Sequence, residues 1–275
     1  MSVLDSLQRS IKNLFNKEPK KLTFIIGEDF YKKSRIPDMQ DRDAYWDNHL
    51  IEDIADLKAF YKNKELYYSF YNEKREQFKS ISPGSIHKEI TSLQDEYDVS
   101  IITLAVDNLF ERVGGKNVIH LNGSLFEMFC DNTVGGCGRV FKIKKEWDKH
   151  TECPRCSETH TVRPNLVWSK LDTEFSAWQA ACLAVENCDL LIQVGVDAHH
   201  HFVQPLLDKC YSNKVEINKT TSDPDETIFE FVLEGDIKKN VPLMKTKLKK
   251  YLKAKRPKPE DTSKGKGKGK KKKKK

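Results

Sequence analysis

A chain of 275 residues is long enough for one large α/β domain or two small ones, with a core that needs no covalent staples. No apolar run approaches the ~18 residues of a membrane span, and no charged start leads into an apolar segment with a cleavage site, so a soluble cytoplasmic or nuclear protein is expected. The net charge of +7 is unevenly placed: residues 251–275 hold 13 Lys and Arg against Glu260 and Asp261, a balance of +11 that leaves the preceding 250 residues at −4.

At the start of the chain, Leu4, Leu7, Ile11, Leu14 and Phe15 recur at helical spacing with Ser2 or Asp5 able to cap, which predicts a helix over residues 1–20. Arg9, Lys12 and Lys17 on its other faces would suit a transit peptide or a membrane-surface helix. The short apolar face and Asp5 in the first turn favour a helix docked on the core. Residues 22–26 read as a buried strand, 44–77 as mostly helix carrying Tyr45, Trp46, Phe60, Tyr61, Tyr67 and Phe70, and 87–97 as another helix. Further strands are predicted at 100–104, 118–121, 189–194, 214–217 and 228–233, with helices at 174–186 and 202–211. Strands separated by helices in this rhythm imply an α/β fold with a doubly wound, Rossmann-like parallel sheet.

The second strand and its sequel read Thr103, Leu104, Ala105, Val106, Asp107, then L-F-E-R-V-G from Leu109 to Gly114, then Val118, Ile119, His120, Leu121, Asn122, Gly123 and Ser124. In order and spacing this resembles the T-Q-N-I-D, L-H-x-R-A-G and V-I-E-L-H-G-S blocks of the sirtuin family. Ser34, Ile36, Pro37 and Asp38 are similar to that family's S-G-I-P-D-F-R, residues 83–90 to its P-N-x-A-H, and residues 163–168 to its R-P-x-V-V-W. Asn218 resembles the asparagine that ends a later family strand near the cofactor. The resemblance spans about residues 21–245 in family order, which bears on fold more than on activity. It implies a sirtuin-like domain over 21–250 with a small zinc-binding module inserted at about 126–165.

The metal reading also stands on the residues themselves. Seven cysteines is an odd count, and four of them fall between Cys130 and Cys156, a pattern that suits reduced thiols and a metal better than disulfides. Cys153 and Cys156 flank Pro154 and Arg155, the two-residue knuckle that lets both thiolates reach one tetrahedral zinc. Cys130 and Cys137 form the second pair; their wider spacing is eased by Gly135, Gly136 and Gly138. His150 and His160 are alternative ligands, read more simply as surface histidines. His199, His200 and His201 follow Gly195, Val196 and Asp197 where a sirtuin reads G-T-S; a metal site with Asp197 is conceivable, but a solvated loop is the simpler expectation because adjacent side chains diverge. Cys182, Cys188 and Cys210 read as core thiols.

What the resemblance implies for chemistry is NAD-dependent deacylation, with NAD and acetyl-lysine in the cleft between the large domain and the zinc module. The cofactor candidates are then Gly27, Asp29, Thr103, Asp107, Gly195 and Asn218. Several positions depart from the family. Its general base, a histidine, falls at Asn122, whose carboxamide cannot accept and release a proton near neutral pH. His120 lies on the same side of the strand, but about 6.6 Å along it. Q-N-I-D is represented by Leu104, Ala105, Val106 and Asp107, G-A-G by Gly27, Glu28 and Asp29, the cofactor-loop arginine by Gln40, and the substrate-strand F-G-E by Ser169, Lys170 and Leu171. A carboxylate about 4 Å from a phosphate costs about 4 kcal/mol at an effective dielectric near 20, close to a thousandfold in affinity. These departures predict a catalytically degenerate binding or scaffold protein that holds zinc and binds NAD weakly. The alternative is an active deacylase; ADP-ribosyl transfer or NAD hydrolysis ranks behind both. The lysine-rich tail at 251–275 is too polar to fold and is expected to bind polyanions such as nucleic acid, acidic protein or anionic lipid. Lys255 to Lys258 also resemble a nuclear-import signal.

Overall fold

A computed structural model describes residues 20–27, 45–55, 57–143, 145–167, 175–225 and 227–255. In chain order its first half comprises β1 (Lys21–Ile26), β2 (Tyr45–Trp46), β3 (His49–Leu50), α1 (Ile51–Ile54), α2 (Leu57–Lys62), α3 (Lys64–Ser80), α4 (Ser85–Thr91), β4 (Asp98–Thr103), α5 (Leu109–Arg112) and β5 (Val118–His120). Then follow β6 (Gly123–Cys130), β7 (Val140–Lys142), β8 (Val162–Leu166), α6 (Phe175–Glu186), β9 (Leu190–Val194), α7 (Val203–Lys209), β10 (Asn213–Asn218), β11 (Phe231–Glu234) and α8 (Ile237–Lys255).

Within β1, Leu22, Phe24 and Ile26 turn to one face and Ile25 to the other, and all four are buried. A strand apolar on both faces belongs in the middle of a helix-covered parallel sheet. It lies between β4 and β9, parallel to both, in a six-stranded sheet ordered β11-β10-β9-β1-β4-β5. The order reverses at β1, which is the doubly wound arrangement, and such sheets open a crevice at the carboxyl ends of their strands at that point. On one face, Ile86 and Ile90 of α4 and Val241, Met244 and Leu248 of α8 cover Phe24 and Val194; on the other, Ala181 and Val185 of α6 and Val203 and Leu206 of α7 cover Ile25 and Leu191.

The smaller lobe joins two distant stretches of chain. β6, β7 and β8 form an antiparallel sheet ordered β7-β6-β8, and α1, α2 and α3 lie over it. Phe60, Tyr67, Tyr68, Phe70, Tyr71 and Phe78 are buried against Leu125, Met128 and Val162. Two of the tyrosine hydroxyls reach backbone acceptors inside the core: Tyr68 Oη donates to Val162 O at 2.5 Å and Tyr71 Oη to Ala55 O at 2.8 Å. Arg75 is buried without a carboxylate and is held instead by Leu125 O (2.8 Å) and Asn72 Oδ1 (2.6 Å).

The structure departs from the sequence expectations at several points; the helix expected at 87–97 runs from Ser85 to Thr91 and tightens to a 3-10 turn over Ser92–Asp95, and the strand expected at 228–233 is Phe231–Glu234. Tyr45 to Leu50 is a two-strand hairpin rather than helix, because Asp47 and Asn48 take positive φ of 44° and 62°, the left-handed pair a tight hairpin turn requires. The antiparallel sheet of the small lobe starts at Gly123 and ends at Leu166, a little wider than 126–165, and its helical half comes from residues 51–80. α8 continues to Lys255, so the first five residues expected in the tail are helical, as the good helix propensity of Lys and Leu allows. The second strand ends at Thr103 and the third at His120, which leaves Leu121 and Asn122 in a turn. The helix expected at 1–20 and the tail beyond 255 lie outside the described residues. Among the described residues no helix is long and apolar enough to cross a membrane.

Candidate functional site

Strand register gathers most of the cofactor candidates at one edge. Ile26 pairs with Thr103 on one side and Val194 on the other, and Val194 pairs with Ile217, so Gly27, Thr103, Gly195 and Asn218 all stand where parallel strands end. Gly27 N donates to Val194 O at 3.0 Å, and a Cβ there would lie 2.0 Å from Gly195 O, so only glycine fits. Thr103 is buried, with Oγ1 accepting from Ala105 N at 3.0 Å. Asn218 donates from Nδ2 to Val196 O (3.0 Å) and Glu216 Oε1 (3.2 Å), while its Oδ1 accepts from Lys219 N (2.8 Å). Asp29 lies outside the described residues, together with Glu28, Ser34, Ile36, Pro37, Asp38 and Gln40.

Two residues at this edge escaped the sequence reading. Glu216 is fully buried; its Oε2 accepts from Thr221 Oγ1 at 2.6 Å and its Oε1 from Ser222 N at 3.0 Å. Gln193, also buried, donates to Val196 O at 2.9 Å. Together they pin the loops that follow β9 and β10. The signal was a polar residue flanked on both sides by apolar ones, Ile192 and Val194 for Gln193, Val215 and Ile217 for Glu216, which a buried position tolerates only when hydrogen-bonded.

Asn122 and His120 both make hydrogen bonds within the chain. Asn122 Nδ2 donates to Leu104 O at 2.8 Å. His120 lies with Nδ1 3.0 Å from Ala105 O and Nε2 2.8 Å from Glu111 Oε1. A carbonyl and an ionised carboxylate only accept, so these two contacts favour a proton on each ring nitrogen, the imidazolium form. Burial opposes that charge, but the bonds to Glu111 and Ala105 outweigh it and the pKa is raised. Burial likewise opposes ionisation of Glu111, and its bond to His120 nevertheless brings its pKa down. Both ring nitrogens of His120 are thus engaged within the chain, Nδ1 at Ala105 O and Nε2 at Glu111 Oε1. Asp107 is 3% exposed; Oδ1 accepts from Leu109 N at 2.8 Å, and Oδ2 has no partner among the described residues. Burial pushes its carboxyl up to about 6 against the Leu109 N–H.

The four cysteines converge. Cys130, Cys137, Cys153 and Cys156 place all their sulfurs within 4.8 Å of one another, with Cys130 to Cys156 at 3.7 Å and Cys137 to Cys153 at 3.9 Å. Four sulfurs ~2.3 Å from one ion are about 3.8 Å apart, so the set fits a tetrahedral zinc. The long first knuckle closes because Gly135 and Gly138 take φ of 93° and 67°, and because Gly136 has no side chain: a Cβ there would lie 2.6 Å from Cys130 Sγ. Burial pushes the Cys130 thiol up to about 12, a preference that a divalent cation reverses. Asp131, 2% exposed, anchors the knuckle by accepting from Thr133 N (2.9 Å) and Arg163 Nε (3.0 Å). His150 and His160 stay outside the cluster. The three consecutive histidines form no ligand group with Asp197 among the described residues; Asp197 Oδ1 accepts from His199 N at 2.8 Å and His200 Nδ1 from Phe202 N at 3.3 Å.

Comparison with known proteins agrees with this architecture. The model of the Sir2 family matches residues 31–201. An NAD-dependent protein deacylase of Pseudomonas putida is 31% identical over 201 residues, 70% of this chain and 74% of that protein. One from Pasteurella multocida is 29% identical over 184 residues, 65% and 76%. Among solved structures, the crystal structure of a Sir2 homolog–NAD complex superposes with a TM-score of 0.69 at 25% identity, covering 90% of this chain and 94% of the other.

Proposed function

From the premise that this chain belongs to the Sir2 (sirtuin) family, we propose that it is a Sir2-fold binding or scaffold protein that has given up NAD-dependent deacylation. One observation supports the reading: Asn122, which the sequence resemblance aligns with the family's general base, donates its amide to Leu104 O, while both ring nitrogens of His120 are engaged by Ala105 O and Glu111 Oε1. Loss of a general base costs roughly 10²- to 10⁴-fold. The cofactor edge supports it. Thr103 and Asn218 use their polar atoms on their own loops, and Val196 and Asp197 stand where the family has a threonine and a serine, one unable to donate and the other a carboxylate. The residues present do not fit turnover of NAD.

The zinc fits, and its role is structural: four protein thiolates leave no open coordination position for substrate or water. We also propose that the lysine-rich segment beyond α8 binds polyanions through charge alone. A second reading, an active deacylase, is favoured by the activity in the names of the Pseudomonas and Pasteurella relatives and by Asp107, retained at some cost with a buried, unpartnered oxygen. Calorimetric titration of the zinc-loaded protein with NAD separates the two: the proposal expects a Kd of ~1 mM or weaker, and micromolar binding would favour the enzyme.

A further inference from the structure

Two cysteines outside the metal cluster face each other in the core of the large lobe. Cys188 lies between α6 and β9, and Cys210 directly after α7; although 22 residues apart in sequence, their sulfurs are 3.8 Å from one another. They meet because α6 and α7 lie on the same face of the sheet, in one apolar cluster. Both residues are almost fully buried, at 5% and 4% exposure. Their thiols also meet backbone acceptors, Val185 O at 3.2 Å for Cys188 and Ser212 O at 3.6 Å for Cys210. Ser212 Oγ also donates to Cys188 O at 2.5 Å, which fastens the two connecting segments together.

We propose that Cys188 and Cys210 form a redox modification site, which a peroxide converts to an intramolecular disulfide. A disulfide needs ~2.05 Å between sulfurs, so the pair must close by a little under ~2 Å. Cys188 sits in the segment between α6 and β9 and Cys210 caps the end of α7, where its N–H bonds Leu207 O at 3.1 Å, so neither lies inside a helix. The roles are set by the asymmetry of the pair. The hydrogen bond with Cys188 holds the Cys210 thiol down to about 7 against burial, and the same bond, with burial, drives Cys188 up. Cys210 is therefore the thiolate that attacks. Its sulfur bonds to one peroxide oxygen as the O–O bond breaks, giving a sulfenic acid and a hydroxide that takes up the proton released from the thiol. The Cys188 sulfur then attacks the sulfenic sulfur, the S–S bond forms, the S–O bond breaks and water leaves with the Cys188 proton. Two thiols are oxidised, and one peroxide is reduced to two waters.

The closed ring would contain β9, Gly195 and the three histidines, so oxidation ties down the segment that lines the cofactor edge. A buried thiol pair with a low-pKa member suits transient oxidation better than a permanent bond in a reducing compartment.

The test is peptide mapping of the zinc-loaded full chain after hydrogen peroxide at about pH 7.5, quenched by alkylation. The expected product is a peptide pair linked through Cys188 and Cys210, lighter by two hydrogens and restored by a thiol reductant. With Cys188→Ser, a sulfenic acid trap should label Cys210; with Cys210→Ser, Cys188 should stay unlabelled. Should neither variant fold, the mapping of the parent protein decides alone. The proposal is overturned if both cysteines are recovered as reduced thiols after peroxide has already released zinc, or if Cys182 replaces either partner in the linked pair.

Discussion

Replacing Asp107 with Asn should stabilise the protein progressively as pH rises. The carboxyl is 3% exposed, Oδ2 has no partner among the described residues, and burial lifts its pKa from 3.8 to about 6. A folded pKa above the unfolded one means that the native state holds the proton more tightly. The stabilising effect of that proton is complete below pH 3.8 and is lost as pH rises through about 6. A gap of about two pKa units corresponds to about 3 kcal/mol, which the parent forfeits at neutral pH and Asp107→Asn does not. Asn keeps the acceptor for Leu109 N and replaces one orphaned atom by another, so the constant part of the difference is small beside its pH-dependent part. Urea denaturation of both proteins at several pH values between about 4 and 8 reads the difference directly, and in thermal melts about 3 kcal/mol corresponds to roughly 6–12 °C at this size. A variant-minus-parent difference that stays flat over this range would refute the reasoning, and would mean that Asp107 Oδ2 is solvated or partnered in solution.

Other expectations follow from the small lobe and the tail. Freshly purified protein should carry one zinc per chain by elemental analysis, and changing Cys153 and Cys156 together to Ser should remove it and destabilise the lobe; full metal content in that variant would contradict the four-cysteine site. Gly136→Ala should weaken zinc retention against a competing chelator, because its Cβ falls 2.5 Å from Asp131 O and 2.6 Å from Cys130 Sγ. Burial alone would raise the Asp131 pKa, but Thr133 and Arg163 bring it down, so its contribution is present above the unfolded value of 3.8 and lost as pH falls through the folded one. Asp131→Asn should therefore cost about 3 kcal/mol at neutral pH in urea titrations, with the difference shrinking in acid. Deleting residues 256–275, which removes 11 Lys and Arg, should abolish retention on immobilised DNA at low salt and flatten the dependence of log K on log salt.

Much of this molecule can be read from its sequence, because its strands announce themselves. Residues 22–26 and 190–194 are short apolar runs bounded by polar turns, which only a sheet covered on both faces accommodates, and the Cys153–Cys156 knuckle declares its geometry by spacing alone. What stayed hidden depended on contacts between distant segments. Nothing local in Phe60, Tyr67 or Tyr71 says that they cover the strand from Gly123 to Cys130 rather than the parallel sheet. The hairpin at Tyr45–Leu50 rests on two positive-φ residues, Asp47 and Asn48, without the glycine that usually signals such a turn. The raised pKa of His120 depends on Ala105 O and Glu111 Oε1, 15 and 9 residues away, so alternation along the strand could show only which way the ring turns. The pairing of Cys188 with Cys210 needed the placement of two helices.

The most direct test of the central claim is nicotinamide release from NAD in the presence of an acetyl-lysine peptide, measured on zinc-loaded protein. With Asn122 aligned to the family's base and both ring nitrogens of His120 engaged within the chain, release should not exceed that of a control lacking the protein. Robust NAD-dependent release that disappears in Asp107→Asn would contradict the account and establish the chain as a working deacylase.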